Sequence, residues 1–188
     1  MTKALIVIDV QESFRHRPYF SEAQVGPYLA RQNALIAGCE RVGVPVVRIL
    51  HVDGPKAAAN PFAVESGLVR PMEGLMDFEA AASFQKTRHS ALVGTGLDVW
   101  LVRNGVQRII VSGIRTEQCC ETTARHASDL GFAVDFVAEA THTFDMQHLD
   151  GSALPAVDMV RRTAAVLKDR FARICTVGEA LDRAASPA

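Results

Sequence analysis

The chain lacks an excess of charge of either sign. Its 188 residues carry 20 Lys and Arg against 21 Asp and Glu, a formal net charge of −1. That balance leaves no electrostatic footprint for nucleic acid or for an anionic membrane surface. Long apolar runs are missing too, and none approaches the ~20 residues needed to cross a bilayer. The first run, Ala4–Ile8, is too short for a signal-peptide core and is stopped by Asp9. The chain therefore reads as cytoplasmic. Cysteine is sparse: Cys39, Cys119, Cys120 and Cys175, with no CxxC pair to frame a structural zinc. In a reduced compartment these are thiols, and the question they leave is whether one is a nucleophile. There is no internal repeat, low-complexity tract or linker. What remains is ordinary for a globular protein, 48% hydrophobic and 22% charged. The length fits one domain, residues 1–188, large enough for a real core.

Hydrophobic patterning then sets the class. Ala4–Val10 is a continuous apolar run ending around an acid, as expected of a strand buried on both faces. Val25–Val42 has helical spacing and Gly43 as its stop. Val44–His51 reads as a second strand and Ala82–Lys86 as a short third. The stretch between, 52–80, is punctuated by Gly and Pro and reads as irregular. Further on, helices are expected at 97–103, 116–130, 156–171 and 178–185. Strands are expected at 106–112, 132–138 and 173–177. Strands alternating with helices predict an α/β fold, a three-layer α/β/α sandwich on a mostly parallel sheet of about six strands.

In such sheets ligands lie beyond the carboxyl ends of the strands. Asp9 follows the first strand, Lys86 ends the third, and Cys119 follows the 106–112 strand. An acid, a base and a thiol would thus converge on one crevice. Cys119 falls in the first turn of the helix expected from Thr116, with Thr116 as its N-cap. Amide N–H groups and the helix dipole there would lower the thiol pKa, and Lys86 would favour the thiolate further. Asp9 could take the thiol proton. Each residue also has a plain reading: a buried thiol as a small hydrophobe, an acid as a cap, a lysine as a solvated side chain. Cys120, one step around the helix, reads as core.

Three segments carry a resemblance. Leu5–Phe14 has the strand, Asp9 and then Gln11-x-x-Phe14; Lys86-Thr-Arg-His-Ser-Ala91 follows the third strand; Val111-Ser-Gly-Ile-Arg-Thr-Glu-Gln-Cys119 runs on to Ala124. With these the chain resembles the isochorismatase-like cysteine hydrolases, which include nicotinamidases, N-carbamoylsarcosine amidase-like enzymes and other small-amide hydrolases. The resemblance implies an Asp9–Lys86–Cys119 triad. It implies a non-proline cis peptide at Ile114–Arg115, with the N–H groups of Arg115 and Cys119 turned to an oxyanion. Around substrate and oxyanion it places Gln11, Phe14, Ile114, Arg115 and Thr116. It also implies a homo-oligomer, for which Phe62, Val64, Leu68, Leu75, Met76 and Phe78 offer apolar surface.

Departures from the family narrow the reading. Nicotinamidases carry Asp-x-His and a further His for a metal after the second strand, whereas this chain reads Arg48-Ile-Leu-His-Val-Asp53. That speaks against a zinc site and against nicotinamide as substrate, and leaves His51 and Asp53 to line the pocket or support it. His142 and His148 read as loop or rim residues. Arg115 stands where the family often has a small residue; it would either select an anionic substrate or point away. The expected activity is hydrolysis of a small carboxamide or related C–N bond through a thioester on Cys119, needing no cofactor or metal. The alternatives are vinyl-ether hydrolysis with Asp9 as the acid, and a non-catalytic binding or assembly protein of the same fold.

Overall fold

The computed structural model describes residues 2–186. In chain order the elements are β1 (Thr2–Ile8), α1 (Val25–Arg41), β2 (Val46–His51), β3 (Ala82–Lys86), α2 (Leu97–Arg103), β4 (Val106–Ile114), α3 (Glu121–Asp129) and β5 (Ala133–His142). A small hairpin follows, β6 (Met146–Gln147) and β7 (Ala153–Leu154), then α4 (Ala156–Leu167), β8 (Arg173–Cys175) and α5 (Val177–Ala185). Six strands form one sheet in the order β3-β2-β1-β4-β5-β8, every neighbouring pair parallel.

The two-residue period of a strand explains the layers. Along β1, Leu5 and Val7 face one core, while Ala4, Ile6 and Ile8 face the other. Helices α1 and α5 cover the first face through Leu35, Ile36, Cys39 and Ala180. Helices α2, α3 and α4 cover the second through Leu97, Leu101, Ala124 and Leu167. Both faces are buried, which is why the strands read as unbroken apolar runs. Among the described residues no helix is long and apolar enough to cross a membrane.

Several boundaries move from the sequence expectation. Strands β4 and β5 run on to Ile114 and His142, so His142 ends a strand rather than sitting in a loop. The helix expected to reach Phe171 stops at Leu167. Lys168 leaves the helical region at φ −55° and ψ 131° and Asp169 adopts φ 57°, a type II turn closed by Arg170 N–H on the Leu167 carbonyl at 3.3 Å. The β6–β7 hairpin was not expected. Of the 52–80 segment, Met72 and Phe78 are buried in the α1-side core, and Phe62, Leu75 and Met76 pack against it. Much of its apolar surface is therefore used within the chain, with Val64 exposed.

Candidate active site

The sheet changes direction of winding between β1 and β4, and the chain leaves both strands there under tight constraint. Asp9 takes φ 53°, a left-handed conformation in which aspartate is among the better tolerated residues. Opposite, Gly113 is paired with Ile8 and has φ 127°. A Cβ on Gly113 would lie 2.0 Å from the Ile8 carbonyl oxygen. Only glycine lets β4 come that close to the end of β1.

Lys86 closes β3, in register with His51 at the end of β2. Neighbours in register project from the same face, so the two side chains meet. The Lys86 ammonium is nearly fully buried and surrounded by acceptors. Its Nζ lies 2.7 Å from Asp9 Oδ2, 2.9 Å from His51 Nδ1, 3.1 Å from the Arg88 carbonyl and 3.2 Å from Cys119 Sγ. Burial works to lower its pKa, but Asp9 and Cys119 together lift it above that of ordinary lysine. The side chain is a cation.

Cys119 sits between β4 and α3 in a π-helical turn, Thr116–Cys120. This corrects the expected α-helical first turn. The N-cap position is Arg115, and no side chain caps the turn. Thr116 is not the cap: it is fully buried, and its hydroxyl meets that of Thr141 at 2.9 Å, tying the turn to β5. The Ile114–Arg115 peptide is cis. The thiol's pKa also departs from expectation. Burial, then the charge of Asp9, pushes it up to about 12 despite Lys86. Desolvation outweighs the lysine and the N-terminal amides, so the resting group is the thiol. Burial also raises the Asp9 carboxyl, with Lys86 opposing. Cys120 is wholly buried in the second core, as expected.

Asp9 and Cys119 open on a cavity of about 330 Å³. Phe14, Tyr19 and Phe62 give it aromatic walls, while Arg17, His89, Gln118 and Arg115 add polar groups. Arg115 is buried rather than pointing to solvent. Its Nη2 lies 3.0 Å from Glu117 and its Nε donates to Thr143 at 3.3 Å, with Tyr19 and Phe144 rings beside the guanidinium. Gln11, Ile114 and Thr116, expected around the substrate, do not line the cavity and are fully buried. Gln11 clamps His51: its Oε1 accepts from His51 N–H at 2.7 Å and its Nε2 donates to the His51 carbonyl at 3.0 Å. His142 is buried beneath Tyr28, stacked at 5.1 Å, and His148 lies in the β6–β7 turn. Sequence reasoning missed Arg17, Tyr19, His89 and Gln118. His89, three residues past Lys86, was the most findable of them.

Asp9, His51 and Cys119 offer ligand atoms within 4.8 Å of one another, a spacing a metal ion could use. The Lys86 ammonium contacts all three. It is already their shared cation, so these residues do not fit a metal centre.

A doubly wound sheet with a buried acid, a lysine and a thiol in contact at its switch point has the build of a small-molecule enzyme. The Isochorismatase domain matches residues 3–176, and the chain belongs to the isochorismatase family of hydrolases. An uncharacterized isochorismatase-family protein of Bacillus subtilis, YrdC, is 28% identical over 187 residues, covering 96% of this chain and 95% of its own. Nicotinamidase 3 of Arabidopsis thaliana is 31% identical over 153 residues, covering 76% and 74%. The crystal structure of a cysteine hydrolase from Pseudomonas syringae pv. phaseolicola superposes with a TM-score of 0.86 at 23% identity, covering 97% and 92% of the two chains, a likeness of fold.

Proposed function

We propose that the protein is a cysteine hydrolase of a small carboxamide or related C–N bond, working through a thioester on Cys119. The observation that carries this is the Lys86 ammonium touching both Asp9 and Cys119 beside a cavity sized for a small molecule. The likeness to a nicotinamidase agrees with amide chemistry.

Asp9 takes the thiol proton as Sγ attacks the substrate carbonyl. A thiol with a pKa near 12 is a poor nucleophile on its own, so deprotonation and attack belong together. Lys86 then donates to the developing thiolate. The N–H groups of Arg115 and Cys119 stabilise the oxyanion. The C–N bond breaks, and the leaving nitrogen takes the proton held by Asp9. Water, deprotonated by Asp9, attacks the thioester; the acid leaves and Sγ regains its proton. Arg115, partly neutralised by Glu117, holds the wall of the cavity and offers its remaining N–H groups to a polar substrate.

The test is ammonia release across small amides, ureas and carbamoyl compounds, nicotinamide included, beside Cys119→Ala. Release that disappears in the variant supports the reading. One second reading has an observation behind it. The raised Asp9 carboxyl suits an acid that protonates a vinyl ether. That reaction would survive Cys119→Ala and be lost in Asp9→Asn.

A further inference from the structure

Lys86 has three protons to donate and four acceptors within 3.2 Å. One acceptor, His51 Nδ1, is no part of the acid–lysine–thiol set. An ammonium can only donate, so at this contact Nδ1 must accept. The ring proton then belongs on Nε2. Burial and the Lys86 charge lower the His51 pKa to about 4, which keeps the ring neutral near pH 7. The backbone of His51 is fixed on both sides by Gln11, and its ring meets Phe62 edge-on at 5.9 Å. Its Nε2 has no hydrogen-bond partner among the described residues. The nearest carboxylate oxygen, on Asp53, is 4.0 Å away on a largely exposed side chain. His51 and Asp53 both line the cavity.

We propose that His51 is a two-sided positioning residue, whose Nδ1 orients the Lys86 ammonium while its Nε2–H is offered to an acceptor oxygen of the substrate. The inference rests on the hydrolase reading above. On the lysine side, His51 takes one proton and Asp9 another, and the third is shared between the Arg88 carbonyl and Cys119. Sulfur accepts that third N–H hydrogen bond as negative charge develops on it, with no movement of the lysine. On the cavity side, the donor selects substrates with a carbonyl or carboxylate oxygen beyond the scissile bond.

Two substitutions separate the sides. Asparagine places Oδ1 where Nδ1 stands, and glutamine places Nε2 where the ring Nε2 stands. H51N keeps the lysine's acceptor and loses the cavity donor, so KM rises by about tenfold. H51Q keeps the donor and loosens Lys86, so kcat falls by about tenfold with KM held. In the resting protein, ¹⁵N NMR at pH 7 shows His51 protonated on Nε2 alone. An Nδ1-protonated ring, or H51N and H51Q with the same kinetic defect, overturns the proposal. Turnover by Cys119→Ala would instead overturn the hydrolase reading beneath it, so the two failures are distinct.

Discussion

At the scale of single residues, the site depends on a small number of buried charges that hold one another in place. Lys86→Met would leave Asp9 buried without its cation. Breaking a buried pair from one side costs about 3–5 kcal/mol. Thermal denaturation should therefore show a marked loss of Tm in Lys86→Met, with activity gone, and an unchanged Tm would contradict the account. The pH dependence has a definite sign. In the proposed mechanism Asp9 accepts the thiol proton and so must be anionic, and burial raises its pKa above the ordinary 3.8. On acidification it takes up a proton earlier than a surface carboxylate, so kcat/KM should fall at a pH above 3.8. His51, with a pKa near 4, adds no limb between pH 5 and 9. A kcat/KM profile that held level down to the ordinary carboxylate range would count against Asp9 as the base. These residues were legible in the sequence as positions after strands. Their protonation was not, because the helix-terminus argument counts nearby dipoles while desolvation depends on packing from distant segments.

At the scale of elements, the close approach of β1 and β4 sets the spacing of acid and thiol. Gly113→Ala would drive a methyl group into the Ile8 carbonyl at a left-handed φ. We expect it to fold poorly or to lose activity with a lowered Tm, and a fully active, equally stable Gly113→Ala would refute the constraint. Beyond the π turn, α3 is tied to α4 through Glu121. This buried carboxylate receives Arg125, Arg162 and the Thr163 hydroxyl. Glu121→Leu leaves Thr163 and two arginines without their acceptor, at a cost of about 1–3 kcal/mol seen in chemical denaturation. The strands and helices of this region followed from apolar runs and Gly131. The π turn did not, because Thr116 looks like a cap and only its bond to Thr141 shows otherwise. The β6–β7 hairpin has two-residue strands, too short for any alternation to register.

At the scale of the whole molecule, the two cores hold four buried thiols. Cys39 and Cys119 are pushed up to about 12 and Cys175 to about 11, with Cys120 also raised, mainly by burial. Unfolding frees them to ionise near 9. Their contribution to stability is therefore complete below pH 9 and is lost as the pH climbs toward 12. Tm should fall steadily between pH 9 and 11, and less steeply in Cys39→Ala. A Tm that stays flat over that range would show that the thiols ionise while folded. The α/β architecture was readable from the sequence because both faces of its sheet are covered, so each strand appears as an apolar run. The cavity was readable in part: Phe14 and Arg115 were expected around the substrate and His51 and Asp53 as possible lining, and all four line it. Tyr19, Phe62 and His89 were not expected there, because they come from irregular segments far apart in the sequence whose meeting no local pattern encodes.

The central claim is a covalent intermediate on Cys119. The most direct measurement is acid quenching during turnover of the fastest amide in the panel, followed by peptide mass spectrometry. The account predicts the substrate's acyl mass on the Cys119 peptide, with neither adduct nor turnover in Cys119→Ala. Turnover by Cys119→Ala at the wild-type rate, with no adduct on the native thiol, would contradict it.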